Sequence, residues 1–155
     1  MTAGAQEEVS GLAAHLGYWL RLVSNQVSHA FRLKVEASGV SVSEWVVLRE
    51  LYGPDSGSPG ALVQSLGMTK GAVSKLIDRL ESKGLATRSP SQVDRRQQAV
   101  ALTAEGRALV PRLAALADAN DQEFFGRLPR QARDELMRVL QEIARTHHIT
   151  SAPVD

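Results

Sequence analysis

Apolar side chains recur every three or four residues along much of this chain, which is the spacing of amphipathic helices. The longest such stripe lies near the start and predicts a first helix of about seven turns, which Ser38-Gly39 should end. Its members are Leu12, Leu16, Trp19, Leu20, Val23, Val27 and Phe31. Two later stripes predict a fifth helix capped by Thr103 and a sixth helix opened by Leu128-Pro129. They consist of Leu109, Leu113, Leu116 and Ala117, and of Ala132, Leu136, Leu140 and Ile143.

Capping signals divide the middle of the chain into shorter helices. Ser41-Val42-Ser43-Glu44 is a capping box with Ser41 as N-cap, and it predicts a second helix that runs to about Tyr52. The cluster Gly53-Pro54-Asp55-Ser56-Gly57 predicts a turn. Ser58 followed by Pro59 predicts the start of a short third helix after that turn.

A fourth helix should begin just after Gly67, because glycine adopts positive φ without steric cost and suits a sharp turn between helices. Thr69 is its N-cap, and one side of the helix is apolar. That side consists of Val73, Leu76, Ile77 and Leu80, and the opposite side of Lys70, Gly71, Ser74, Lys75 and Asp78. Gly71 costs a helix about 1 kcal/mol relative to alanine, which close approach of the backbone to another surface would offset. Neutral drift at this position is the alternative.

Two short strands should follow the fourth helix, from Ala86 to Pro90 and from Gln97 to Leu102. The turn Ser91–Arg96 joins them and carries arginine at its tip. Pro90 falls at a strand end, where the missing N–H is tolerated. Helix and hairpin together offer DNA a helix for the major groove and a cation for the minor groove.

The composition is typical of a soluble globular protein, with 43% hydrophobic and 23% charged residues in a chain of 155. The sequence has no apolar run of about 18 residues, and its N-terminus carries Glu7 and Glu8 instead of a cationic leader. Neither a transmembrane helix nor a signal peptide is therefore predicted. Cysteine is absent, which removes disulfides and thiolate sites, and we expect the protein in the cytoplasm.

The net charge of +1 is unevenly distributed. Seven basic and three acidic residues lie between Met68 and Arg96, so this segment carries +4 and the rest of the chain −3. The basic residues are Lys70, Lys75, Arg79, Lys83, Arg88, Arg95 and Arg96. A basic surface on a mildly acidic body steers phosphate to one face, which indicates nucleic-acid binding. A helix that carries solvated charges at random is the alternative.

The order of the recognition helix and the wing resembles the MarR family of bacterial dimeric winged-helix repressors. The helix that begins Thr69-Lys70-Gly71-Ala72-Val73-Ser74-Lys75 precedes the spacing Asp94-x-Arg96-x5-Leu102-Thr103, which resembles the family's wing signature. The resemblance implies that Arg96 enters the minor groove, and that Asp94 pairs with Arg96 and holds the turn. It also implies a transcriptional regulator, more often a repressor than an activator.

The expected fold is mainly α with a small antiparallel β-wing, a winged helix-turn-helix with long N- and C-terminal dimerisation helices. Residues 39–102 would form the DNA-binding lobe, and residues 1–38 and 103–150 the helical dimerisation region of an intertwined protomer. The resemblance implies a homodimer paired through the first, fifth and sixth helices. Its two recognition helices would meet successive major grooves, about 34 Å apart, on a palindromic site. Residues from Ser151 onward are predicted to fray.

The candidate DNA-contacting residues are Thr69, Lys70, Gly71, Ser74, Lys75, Arg95 and Arg96. The lysines can contact phosphate or guanine edges, whereas the hydroxyls can donate to phosphate or base. Arg95 is expected to contact phosphate. Asp78 precedes Arg79 in the same helix, and we expect a structural ion pair between them. Contact of Arg79 with a base is the alternative.

A small aromatic ligand is a further expectation from the resemblance. Family members often bind aromatic or phenolic acids in a cleft between the dimer helices and the DNA-binding lobe. His15 and Trp19 on the first helix and Trp45 on the second are the candidate lining residues. Core packing is the alternative, above all for Trp45, which lies on an inward stripe with Val46 and Leu48.

Other functions find less support in the residues. The sequence has no Ser/His/Asp constellation, phosphate-binding glycine loop or paired catalytic carboxylates, so no enzyme is predicted. His147-His148 is expected to be a solvated helix end, and His15 and His29 are too far apart to share an ion, so neither metal nor cofactor is expected. A winged helix that binds protein, and a variant that senses a ligand or a metal through its helices, remain as alternatives.

Overall fold

A computed structural model describes residues 9–53 and 57–154. Within these residues the chain forms six α-helices and one two-stranded antiparallel sheet. The helices are α1 (Leu16–Glu36), α2 (Val42–Glu50), α3 (Pro59–Leu66), α4 (Lys70–Ser82), α5 (Ala104–Phe125) and α6 (Arg130–Thr146), and the strands are β1 (Ala86–Pro90) and β2 (Gln98–Leu102). The predicted fold class, mainly α with a small antiparallel wing, is confirmed.

The capping predictions are confirmed at the starts of four helices. In each case a backbone N–H donates, at 3.1–3.2 Å, to the hydroxyl three residues earlier in the chain. These hydroxyls belong to Ser41, Ser58, Thr69 and Thr103. The capping box is complete, because the Ser41 N–H donates in turn to the Glu44 carboxylate. Gly67 ends α3 with a φ of +64°, the left-handed conformation that the sharp turn requires.

The first helix is shorter than the apolar stripe predicts. Leu12–Ala14 form a separate 3-10 turn, and His15 interrupts the helix with an extended backbone, φ −101° and ψ 129°. The Trp19 indole N–H donates to the Ala13 carbonyl at 2.9 Å, which satisfies an acceptor that the break leaves without a helical partner. The prediction of one continuous helix was wrong here, because apolar spacing continues through a break that a side chain stabilises.

The hydrophobic core joins the middle helices to α1 and α5. Its largest fully buried side chains are Val35, Val47, Leu48, Val73, Ile77, Leu80, Val100, Val110 and Leu113. The inward face predicted for α4 is confirmed, since all four of its apolar residues are buried. Burying a side chain of this size contributes about 1.5–3 kcal/mol. The core therefore holds α4 in place with its opposite face towards solvent.

The wing forms as predicted, although β2 begins one residue later than expected. Pro90, at the end of β1, lies opposite Gln98. Gly57 pairs with β2 as well, because it exchanges two backbone hydrogen bonds with Val100, at 2.8 and 2.9 Å. This bridge ties the segment before α3 to the wing. Of the turn predicted in that segment, residues 54–56 lie outside the described residues.

The sheet passes directly into α5 through a close backbone contact. The Thr103 hydroxyl donates to the Gly84 carbonyl at 2.6 Å. A Cβ added to Gly106 would lie 2.0 Å from the Leu85 carbonyl oxygen, so position 106 accommodates only glycine. This contact sets the direction in which α5 leaves the wing.

Ala152 is docked against the protein, so the prediction that residues from Ser151 onward fray was wrong within the described residues; Asp155 lies outside them. The Ala152 N–H donates to the Leu66 carbonyl at 3.2 Å. Ala152 is also partly buried against the hydrophobic core. A contact between residues so distant in the chain leaves no local sequence signal.

Candidate nucleic-acid interface

The first two turns of α4 present a polar face to solvent. Five candidate residues are exposed there: Thr69, Lys70, Gly71, Ser74 and Lys75. A Cβ added to Gly71 would meet no heavy atom within 4 Å, so packing inside the described chain does not require glycine at this position. Because no side chain covers the backbone at Gly71, another surface can approach this face of the helix closely.

The tip of the wing is held by hydrogen bonds among its own residues. The Arg96 backbone N–H donates to the Asp94 carboxylate at 3.0 Å, and the Gln97 N–H donates to the Asp94 carbonyl at 3.0 Å. Ser91 closes the loop, because its N–H donates to the Gln97 carbonyl at 2.9 Å. Asp94 therefore stabilises the turn, as expected of it.

The expected side-chain pair between Asp94 and Arg96 is not formed. A carboxylate accepts most readily from the backbone N–H two residues later, which is the geometry of an Asx turn. In residues 9–53 and 57–154 the Arg96 guanidinium has no carboxylate within 4.0 Å, and both Arg95 and Arg96 are exposed. The carboxylate thus shapes the tip and leaves two cations facing solvent.

The exposed face of α4 and the wing border one cleft of about 460 Å³. Its lining comes from the start of α3, from α4 and from the wing, and consists of Ser58, Pro59, Gly60, Val63, Lys70, Ser74, Gln97 and Gln98. No motif in the sequence distinguishes the two glutamines from other polar residues of the wing. Their amides both donate and accept hydrogen bonds, as recognition of base edges requires.

Two of the seven basic residues between Met68 and Arg96 serve internal contacts. Lys83 Nζ lies 2.7 Å from Glu44 Oε2 and donates to the Gly39 carbonyl at 2.9 Å. The Glu44 side chain is only 4% exposed, so this ion pair compensates a buried carboxylate. The local charge of +4 therefore overstates the cations available to a partner.

Arg88 is the second of these residues, and it joins β1 to α4. One guanidinium nitrogen pairs with Asp78 and lies 3.2 Å from Glu81 Oε1. The second terminal nitrogen, Nη2, donates to the carbonyl oxygen of Ser74 at 3.1 Å and to the Ser74 hydroxyl at 3.3 Å. Arg88 thus fixes the wing against the candidate recognition helix, a role that its place among the basic residues of this segment does not reveal.

The prediction of an ion pair between Asp78 and Arg79 was wrong. Adjacent residues of a helix point about 100° apart, so they do not face each other. Asp78 pairs with Arg88, and Arg79 is exposed and has no ion pair within the described part of the chain.

Replacing Arg88 by alanine is expected to lower the free energy of unfolding by about 1–2 kcal/mol, because this side chain then no longer holds β1 and α4 together. Urea unfolding measures this change. Arg79→Ala is the matched control, since it removes an exposed arginine from α4 that has no ion pair within the described part of the chain and should change stability by less than about 0.5 kcal/mol. Equal effects of the two substitutions would contradict a structural role for Arg88.

A separate cavity of about 290 Å³ lies between α1, α2 and α5. Its lining residues are Val27, Ser28, Phe31, Val42, Trp45, Val46, Ala117, Asn120, Asp121 and Pro153. Trp45 lines this cavity and also packs partly buried against the core. His15 and Trp19 are exposed at the start of α1 and are not among its lining residues.

A polar cluster that the sequence did not reveal borders this cavity. Asn120 is 3% exposed, and its amide donates to the Val27 carbonyl at 3.1 Å. Lys34 Nζ donates to Asn120 Oδ1 at 3.0 Å and lies 2.7 Å from Glu123 Oε2. An asparagine in a long helix carries no signal that distinguishes it from a surface residue, so only the packing of α1 on α5 identifies it.

The two histidines near the C-terminus, His147 and His148, are exposed at the end of α6. Within residues 9–53 and 57–154, no group of three or more metal-ligating side chains is close enough to hold an ion. The same residues contain no helix with the length and apolarity to cross a membrane.

Comparison with known proteins connects this geometry to one family. The family model described as MarR family matches residues 38–97. HTH-type transcriptional repressor Rv2887 of Mycobacterium tuberculosis is 30% identical over 135 residues, which cover 86% of this chain and 97% of the repressor.

Two solved structures share the fold at 26% sequence identity. BpsR of Bordetella bronchiseptica, whose DNA binding is regulated by 6-hydroxynicotinic acid, superposes with a TM-score of 0.76 over 88% of this chain and 97% of BpsR. CouR of Rhodococcus jostii RHA1, bound to p-coumaroyl-CoA, also gives 0.76, over 88% of this chain and 96% of CouR.

Proposed function

We propose that this chain, which belongs to the MarR family of transcriptional regulators, is a repressor that binds a palindromic double-stranded DNA site as a homodimer. We also propose that a small aromatic ligand releases the protein from this DNA. The observation that carries this proposal is that the exposed face of α4 and the wing border the same cleft. A helix for the major groove and a cationic tip for the minor groove lie side by side on that surface.

The proposed DNA contacts follow from the residues exposed on this surface. Lys70 and Lys75 bind phosphate or guanine edges, and Thr69 and Ser74 donate from the helix start. Gly71 lets the backbone approach the groove. Arg96 enters the minor groove from the wing, and Arg95 contacts phosphate.

The proposed homodimer is supported by apolar side chains that the single chain leaves exposed. On α1 and the turn before it these are Leu12, Leu16, Trp19, Leu20, Leu22 and Val23, and on α6 they are Leu136, Met137, Val139, Leu140 and Ile143. No residue of α6 is buried within the protomer. Exposed apolar surface of this extent indicates an interface. We therefore assign residues 1–38 and 103–150 to dimerisation and residues 39–102 to DNA binding.

The cavity between α1, α2 and α5 is the proposed ligand site. Phe31 and Trp45 provide aromatic lining for a single ring, and Asn120 and Asp121 are polar residues of the same lining. A carboxylate in the lining favours a phenol, whose hydroxyl donates a hydrogen bond, over a second anion. A ligand here would contact helices of both proposed regions.

The proposed function is tested by binding the purified protein to the DNA upstream of its own gene. We expect tight binding to this DNA and weak binding to a scrambled sequence of equal length and composition, with phenol lowering the affinity. Equal affinity for both sequences would contradict a sequence-specific regulator. Binding to neither would favour a winged helix whose partner is a protein.

Removing Lys70 or Lys75 should weaken binding in a salt-dependent manner. Each alanine substitution is expected to reduce the slope of log K against log salt by about one unit for each phosphate that the protein no longer neutralises. A titration from low to moderate salt measures the slope. Arg130→Ala is the control, because this exposed arginine at the start of α6 lies outside the proposed DNA surface. An unchanged slope in both lysine variants would mean that the DNA-facing side of α4 is assigned wrongly.

A further inference from the structure

The C-terminal tail, defined as residues 151–153, contacts the turn between α3 and α4. Leu66 is the last residue of α3, where carbonyls lack intrahelical partners, and the Ala152 N–H donates to its carbonyl at 3.2 Å. Ser151 lies beside the next residue: a Cβ on Gly67 would be 2.8 Å from Ser151 Oγ and 3.1 Å from Ser151 Cα. The tail therefore packs on the turn that leads into the N-cap of α4.

The other end of the tail contacts the cavity between α1, α2 and α5. Pro153 is one of the lining residues of this cavity, together with Trp45 and Asn120. Ala152 lies between the two contacts and packs against the core. Three consecutive residues thus connect the cavity wall to the helix-turn-helix turn.

We propose that the C-terminal tail is a strap that couples the cavity to the position of the recognition helix, an inference that rests on the proposed function. A ligand that displaces Pro153 also pulls Ala152 away from Leu66, because the two residues are adjacent. The turn then loses this hydrogen bond and its packing against the tail. As a result, α4 is held less firmly in the position that binds DNA. Coupling of this kind is reciprocal, so DNA binding at α4 stabilises the docked tail and the closed cavity.

The test removes one N–H from the tail. Ala152→Pro deletes the donor to Leu66, whereas Ala152→Ser keeps it and is the matched control; deletion of residues 151–155 removes the tail without introducing proline. All variants carry Trp19→Phe, which leaves Trp45 as the single tryptophan and a reporter on the cavity. Two quantities are measured, the affinity for the upstream DNA and the quenching of Trp45 by acrylamide.

We expect the proline variant and the deletion to bind the DNA at least about fivefold more weakly than the serine control, the lower end of typical allosteric couplings. Trp45 should be quenched more readily in both, and DNA should protect Trp45 only in the serine control. All variants should sediment alike, because the apolar face of α6 is intact. Equal DNA affinity in all three variants would overturn the strap, even if the quenching differs, because the tail would then close the cavity without acting on α4.

Failure of the proposed function gives a different result. If the unmodified protein does not prefer the upstream DNA to the scrambled sequence, the regulator assignment is wrong. The strap is then judged by quenching alone, and equal quenching of Trp45 in the serine and proline variants overturns it.

Discussion

Replacing Leu140 by aspartate is expected to convert the protein from a dimer to a monomer and to abolish tight DNA binding. Leu140 is 39% exposed on the apolar face of α6, where the protomer alone leaves it uncovered. A symmetric interface would contain the substitution twice, so each dimer would bury two carboxylates without partners. Linking two DNA contacts typically raises affinity by about 10²- to 10⁴-fold, and the variant should lack this gain.

Sedimentation at micromolar concentration and DNA titration measure the two effects. The unmodified protein should sediment at about twice the 16.8 kDa chain mass and the variant at the chain mass. Gln141→Asp is the matched control, because the neighbouring Gln141 is exposed and lies outside the apolar stripe of α6. A monomeric unmodified protein that still binds a palindrome tightly would contradict the proposed assembly.

Replacing Arg96 by alanine is expected to weaken DNA binding by about 1–3 kcal/mol, with little change in the free energy of unfolding. The side chain is exposed and has no ion pair within residues 9–53 and 57–154, so the substitution removes no internal ion pair from the folded protein. The backbone N–H that donates to Asp94 is kept in the variant, and the turn at the tip should persist. The weaker binding should therefore come from the minor-groove contact alone.

The matched control is Gln92→Ala, which removes an exposed, uncharged side chain from the same tip. Fluorescence anisotropy with the upstream DNA measures affinity, and urea unfolding measures stability. Unchanged affinity of Arg96→Ala at moderate salt would remove the wing from DNA binding. A large drop in stability would show instead that Arg96 supports the fold.

The sequence alone predicted the features that depend on neighbours within one turn of helix. The caps at Ser58, Thr69 and Thr103 and the left-handed Gly67 were foreseen, because each involves residues within about four positions. The buried face of α4 was foreseen from its spacing for the same reason. Apolar spacing alone failed at His15, where Trp19 stabilises a break in the helix.

Contacts between distant segments were decided only by the tertiary structure. The charge count could not show that Lys83 serves the buried Glu44 or that Arg88 holds β1 against α4. The docking of Ala152 on Leu66 was likewise invisible, and fraying was predicted instead. The side chain of a lysine or the N–H of an alanine can bond with any partner that packing brings near. Which partner it meets depends on the arrangement of whole helices, and no spacing along the chain records that arrangement.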